Sequence, residues 1–566
     1  MRLVAAVLMA LVVFVANSAS SLAQNEKPKE IAKPVVVFNL ASIDRVLGHA
    51  NFLFKEIDRP ELMDLVGVQL ANIRDFKGVD RAKAGGLAIF LADGIFPQPV
   101  PVAYVPISDV KEFEQTMSAT PLKLQKSEDG EDRYELVPRN GQKLAMRLVN
   151  GYAMIAMSQE QLDRNFVDIA EFTASLSNRY DFAVSANLKV VSQPVKQLLT
   201  NMLRSSTQAG MQQRDDEPDG AYQIRKSQTE GNLHFLESVL LDGEELTIGV
   251  KIEQDNKKAY LEAIIRAKAD TTFAKELTGN VKPSYFWSAI DHDVPLSVSI
   301  SGPFNDFQKK QFGEMFKVGE REANRGLAKL PLDVKPEDIP QLDSTKLIFE
   351  SLKATLNYGY LDAFAQFYGD PSDNFVVVGG IRMMEGRKFF TGLSDVLNRS
   401  KDSFPKELQL ELSAASHGEA VFHRLTPNKV SSDVEIGYGE NPSFLFGADN
   451  DAMWFAFGGK EAFPKLKATI DKVEESKQHA PKSDNLVPFE LVFNMNHWVK
   501  QRENKGKPGP FNEFAKKSFT QPGSDTLRFD SRPIENGVRI RVQVENGFIK
   551  LLGHALAKQI DGKNNF

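Results

Sequence analysis

Three short stretches carry side chains of the right type and spacing for chemistry. His417, Glu419 and His423 stand at even intervals. One continuous strand would therefore point all three to the same side, an imidazole and carboxylate set suited to zinc or another divalent cation. Gly418 and the preceding Ala414-Ala415-Ser416 argue against such a strand, and solvent-facing residues are the expectation. Asp291-His292-Asp293 sets a histidine between carboxylates, the makings of a general base with a raised pKa. Neighbours in sequence point different ways, however, and Pro295 follows closely, so a polar linker is expected here. Asp215, Glu217, Asp219 and Gly220 match positions 1, 3, 5 and 6 of a calcium loop, but position 12 is Lys226 where a bidentate glutamate is needed.

The remaining signals are negative. Gly458-Gly459-Lys460 lacks the earlier glycine and the following hydroxyl residue of a phosphate loop. No Gly-x-Gly-x-x-Gly follows a strand, no Gly-x-Ser-x-Gly elbow occurs, and the eight histidines form no His-Glu-x-x-His. The acidic pairs Glu131-Asp132 and Asp449/Asp451 fall at turn positions. The residues thus assign no catalytic, cofactor-binding or metal site. With Phe 39, Tyr 11 and Trp 3, the aromatic balance disfavours a carbohydrate-active enzyme and fits core filling, with an apolar-ligand cavity as the alternative.

The elements that must carry these residues are written twice. Asn150–Met157 matches Asn450–Phe457 at an offset of 300, and Asp181–Leu188 matches Pro488–Met495 at 307. Ile265–Phe273 matches Ile540–Phe548 at 275, and Pro34–Val37 matches Pro295–Val298 at 261. Alternating strands are predicted at Val35–Leu40, Phe182–Leu188, Leu296–Ile300 and Phe489–Met495. Ser42 and Ser192 are candidate N-caps of the helices that follow the first two. Glu245–Ile252 with Ala259–Ala267, and Leu144–Leu148 with Tyr152–Met157, read as hairpins, the second turned by Asn150-Gly151. Antiparallel strands interrupted by helices predict an α+β fold of two tandem pseudo-duplicated halves.

The predicted layout is a signal peptide at 1–23 and a linker at 24–33, then units at 34–178, 179–290, 291–482 and 483–566. Within the second unit, 205–231 is almost free of apolar residues and is expected to be a structureless surface excursion. Arg2, the apolar run Leu3–Val15 and the small residues Ser21 and Ala23 make an export signal. Its 13 apolar residues fall short of the ~20 of a membrane span, and no later run approaches that length. Lys+Arg 69 against Asp+Glu 75 gives −6, without a nucleic-acid-binding excess of positive charge. Zero cysteines exclude disulfides, thiolate metal sites and a lipid-anchored cysteine.

On the signal and the repeated strand–helix pattern, the chain as a whole resembles exported bacterial proteins of uncharacterised function with duplicated α+β units. That resemblance implies no activity and transfers no site residue. The expected function is a non-catalytic binding or cell-envelope interaction protein, periplasmic or extracellular, with a protein or small-molecule partner. A hydrolase with a site between the halves, or a carrier of apolar ligands, is the alternative.

Export is expected to cut after Ala23. N-terminal sequencing of the secreted protein should begin at or beside Gln24.

Overall fold

The computed structural model describes residues 31–563 apart from 93–97, 121, 129, 139–142, 280, 332–333, 370–373, 402–403, 480–486, 505–509 and 521–522. The signal segment and most of the linker lie outside the described residues. Helix and antiparallel strand are mixed, 43% and 31%, which makes the chain α+β.

Two compact units result. Unit one holds the described residues up to Asn201, Leu236–Ala274 and the residues from Arg541; unit two holds Met202–Phe235 and Lys275–Ile540. In unit one the strands are β1 (Val36–Leu40), β2 (Gly85–Leu91), β3 (Pro99–Pro106), β4 (Leu122–Lys126), β5 (Arg133–Pro138), β6 (Leu144–Val149), β7 (Tyr152–Ala156), β8 (Phe182–Asn187), β9 (Gly243–Glu253) and β10 (Lys258–Ala267). They pair in the order β4-β5-β6-β7-β3-β2-β1-β8-β9-β10, all antiparallel. Unit two has β11 (Leu296–Pro303), β12 (Tyr360–Tyr368), β13 (Val376–Arg382), β14 (Leu408–His417), β15 (Ala420–Pro427), β16 (Ser443–Ala448), β17 (Ala452–Gly458), β18 (Phe489–Asn494) and β19 (Thr526–Ile534). Their order is β14-β15-β16-β17-β13-β12-β11-β18-β19. The division falls within β20 (Gly537–Glu545), which continues from β19.

The two ladder sets share one strand order, and their central registers correspond. Val36 faces Ala186 where Leu296 faces Phe493, an offset of 260 on one strand and 307 on the other. Tyr104 faces Met154 where Gly380 faces Trp454, offsets of 276 and 300. Asn150 and Asn450 both stand in the turn between the sixth and seventh strands of their set. The sequence offsets 300 and 307 coincide with these registers. The frontal match at 261 is one residue out, a slip that would exchange the two faces of the strand.

Alternation decides what each face buries. In unit two, Phe364, Val378, Trp454 and Ala456 meet Phe286 and the inner face of the helix Ala462–Ser476 in one core. Trp454 is fully buried and its indole N–H donates to Asp449 Oδ2 at 2.7 Å, so Asp449 serves the core from its turn. The predicted cap Ser42 accepts from Arg45 N at 3.0 Å and starts the helix Ile43–Glu56.

Residues 205–231 correct the expectation of a structureless excursion. Residues Gln193–Gln208 and Asp219–Asp242 are helical. His234 stacks on Phe307 with ring centroids 4.6 Å apart, and Ser227 O accepts from Gln311 on the helix Asp306–Leu327. Arg225 reaches back to Glu217 and to Gln212 O, at 2.6 and 2.7 Å, and folds the connecting turn over itself. Composition misled because one ring stack and a few anchored backbone groups order a helix whose other faces stay in water. Glu217 is committed to Arg225, so the calcium-loop spacing holds an ion pair instead.

Unit one carries a fully buried carboxylate. Glu262 Oε1 accepts from Arg179 at 2.5 Å and from the Tyr180 hydroxyl at 2.7 Å, while Oε2 accepts from Arg541 Nε at 2.8 Å and Nη2 at 2.5 Å. The Tyr180 ring needs a glycine beneath it: a Cβ on Gly249 would stand 2.3 Å from the ring. Burial opposes the Glu262 charge, but the Tyr180 and Arg541 hydrogen bonds overcome it and hold the carboxyl below its ordinary range. Its stabilisation is therefore present above the unfolded-state pKa and lost as pH falls. Glu262→Gln should remove about 3 kcal/mol, the low end for a broken buried pair because both arginines are partly exposed. Urea unfolding at neutral pH measures this, and the gap between variant and wild type should narrow in acid.

Candidate functional site

Strands β11, β12 and β18 turn an unusual face toward the inside of unit two. Asp362, Gln366, Glu490 and Asn494 are all buried there. Buried polar side chains must find partners, and these find them in residues 282–295, which lie outside any helix or strand. The Tyr360 hydroxyl accepts from Lys282 N at 2.6 Å and donates to Lys282 O at 2.9 Å. Asp362 accepts from Ser284 Oγ at 2.6 Å and from Tyr285 N at 2.5 Å. Gln366 donates to Asp291 O at 2.8 Å, and Asn494 donates to His292 O and Val294 O, each at 2.7 Å. His292 Nε2 lies 2.8 Å from Glu490 Oε2. The sheet's own side chains thus strap the segment down.

At its start the strap builds a basic and aromatic corner. The helix Asp343–Tyr358 ends at Gly359, whose φ of 81° is the left-handed cap geometry glycine favours. Tyr358 and Tyr360 therefore flank a sharp turn, Tyr358 half exposed and Tyr360 buried. The Lys282 ammonium lies 5.9 Å from each of their ring centroids. The Arg382 guanidinium, at the end of β13, lies 4.0 Å from the Tyr285 centroid and 5.8 Å from that of Tyr358. Lys477 also approaches Tyr285, at 5.3 Å, but is paired with Glu474 at 2.7 Å and Asp451 at 3.3 Å. Among the described residues no carboxylate pairs with Lys282 or Arg382, and Arg382 Nε is buried without an acceptor. Burial pushes the Asp362 carboxyl up to about 6 against its two hydrogen bonds and the field of Arg382. Burial likewise pushes the Tyr285 phenol up to about 12, so it stays protonated. Two fixed cations beside an exposed ring can take an anion.

The residues singled out in the sequence lie elsewhere or do other work. His417 closes β14, Gly418-Glu419 is the turn, and His423 is on β15, so no single strand carries the three. His417 pairs with Asp471 at 2.6 Å and Glu419 with Arg387. His423 is buried 4.4 Å from the Phe390 ring. Its Nδ1 accepts from Ser413 N at 2.9 Å, which leaves the proton on Nε2 facing Ser394 Oγ at 2.7 Å. Ser394 Oγ in turn lies 2.7 Å from Phe390 O as its donor. This serine–histidine pair runs opposite to a nucleophile and its base, which needs a free imidazole lone pair on the hydroxyl. Burial also lowers the His423 pKa. Asp291 Oδ1 accepts from Asp293 N at 3.0 Å in a local turn; the Asp-His-Asp stretch is part of the strap. Among the described residues no three His, Asp or Glu side chains gather as a metal site would require.

The corner escaped the sequence reading because its parts are a hundred residues apart. The one local signal is Tyr358-Gly359-Tyr360 in a tyrosine-poor chain. No protein-family model matches the sequence, and neither curated proteins nor solved structures give a match.

Asp362 is a carboxyl whose folded-state pKa is raised, so ionising it works against the fold. Its contribution to stability should fall as pH rises from about 4 to about 6. Asp362→Asn keeps an acceptor for Tyr285 N and can donate to Ser284 Oγ. Urea midpoints measured across that window should show the variant gaining on wild type as pH rises, by on the order of 2–3 kcal/mol at neutral pH.

Proposed function

We propose that the chain is a tandem duplication of one α+β unit that serves as an exported, non-catalytic binding protein, periplasmic or extracellular, with its site in the second half. The matched ladder registers support the duplication. The same registers set Pro106 against Arg382 and, by continuation of the β2 and β12 offset, Ala84 against Asp362. The first half therefore keeps the fold without counterparts of Arg382 and Asp362. Divergence confined to one copy is what acquisition of a binding site by that copy would leave.

The observation that carries the reading is the pair Lys282 and Arg382, held beside Tyr358 with no carboxylate paired to either among the described residues. Lys477, by contrast, is paired with Glu474 and Asp451. The hydrolase alternative gains nothing from the Ser394–His423 pair, whose proton points the wrong way. The apolar carrier gains nothing from the phenylalanines at Phe286, Phe364, Phe390 and Phe422, which fill the cores.

The test is a thermal-shift panel of anionic, neutral and apolar small molecules with the mature protein. Anionic compounds at 100-fold their Kd should stabilise wild type by about 2.7 kcal/mol, but not Lys282→Gln with Arg382→Gln. Compounds that bind should be recovered unchanged by NMR; turnover would contradict the reading.

A further inference from the structure

Resting on the binding-protein reading, we infer that the corner is a subsite for an acidic sugar chain: Arg382 and Lys282 take a ring-borne carboxylate or sulfate, and Tyr358 takes the ring. Both cations lie close to one aromatic ring, 5.8 and 5.9 Å from the Tyr358 centroid. An anion bridging them sits beside that ring rather than several bonds from it. A nucleotide separates its phosphate from its flat base by a sugar; a hexuronate or sulfated hexose carries its charge directly on the ring. The Arg382 fork suits a planar carboxylate or a sulfate edge, and Lys282 adds a point charge.

The surroundings agree with that ligand. Arg382 is held by stacking on Tyr285 at 4.0 Å, and Tyr285 is itself fixed through its backbone to Asp362. Lys282 is fixed through both its backbone groups by Tyr360. Such preorganisation lowers the ordering loss on binding. Lys309 stands beside Gly359, close enough that a Cβ there would meet its Nζ at 3.4 Å, and its ion pair with the fully exposed Asp306 is long, 3.9 Å. A chain with several charges thus has a third cation beside the Tyr358–Tyr360 turn. The tyrosines Tyr285, Tyr358 and Tyr360 are three of only eleven in the sequence, so the chain gathers its scarce amphipathic rings where a sugar face needs one.

The experiment is calorimetric titration of the mature protein with four probes: a galacturonate hexamer, a heparin hexasaccharide, maltohexaose and inorganic sulfate. Circular dichroism melts verify that each variant is folded. One or both acidic hexamers should bind saturably and weaken with added salt, while maltohexaose gives no heat of binding. Arg382→Gln and Lys282→Gln should each weaken binding at least tenfold. Tyr358→Ala should weaken it about fivefold, with Tyr358→Phe near wild type because the ring face rather than the hydroxyl is used. Asp362→Asn, which removes the nearest negative field from Arg382, should tighten it. Equal binding by folded Arg382→Gln would overturn the assignment, and so would sulfate matching the hexamers at equal ionic strength, since the ring would then contribute nothing. Failure of both acidic hexamers, with another anion still bound at the corner in the thermal panel, sinks the sugar inference and leaves the binding reading standing. Silence from every anion sinks both.

Discussion

A stretch of backbone with no strand or helix of its own must still pair its N–H and C=O groups, and in unit two the sheet supplies the partners. Residues 282–295 cross strands whose inner face is polar, and Tyr360, Asp362, Gln366 and Asn494 each hold a backbone group or side chain of the strap. An unpaired buried amide would be destabilising by about 1–3 kcal/mol, so these contacts decide whether the segment is ordered at all. Everything proposed for the corner follows from that order. Lys282 is presented because its backbone is clamped, and Arg382 is presented because Tyr285, on the same strap, gives it a ring to lie on.

The same constraint explains why two ladder sets with one register bury different chemistry. Ser297, Gln366 and Glu490 of unit two have Val37, Ala88 and Ala183 as their ladder counterparts. In unit one those three positions are apolar, although Asn39 is buried on the same face and bonded to Tyr104 and Ser177, and a further polar cluster lies farther along the sheet, where Glu262 is enclosed by Arg179, Tyr180 and Arg541. A sheet face can be closed by packing or by hydrogen bonding, and strand order is indifferent to the choice. Side-chain identity can therefore differ between the sets while the registers agree.

That indifference sets what the sequence could reveal. Strand alternation and the Asn150-Gly151 turn are local, and they located β1, β6, β7, β8 and β18 within a residue and β11 from its first residue, though β11 runs three residues beyond Ile300. The one-residue slip at Pro34 arose because a run such as Val35-Val36-Val37 is apolar throughout and carries no face information. The helix Asp219–Asp242 was hidden for the opposite reason: its polar residues gave no stripe, and its anchor, Phe307, lies in another part of the chain. His417 and His423 looked like one face because a turn at Gly418 is invisible to a count of spacings. The corner was the least legible feature. Lys282, Tyr358 and Arg382 are unremarkable where they stand, and only the clamp between strap and sheet brings them together.

Asp362 shows how the fold and the corner constrain one another. A neutral residue could hold Tyr285 N without the penalty that burial places on a carboxylate, a penalty visible in its pKa near 6. The ionised group nevertheless acts on Arg382, through its field rather than by direct contact. That arrangement leaves the guanidinium without a paired carboxylate among the described residues. A carboxylate placed in direct contact would have been better satisfied and would have closed the fork to any ligand. The position of Asp362, buried and one step removed from Arg382, is where strap stability and an open cationic face can both be had.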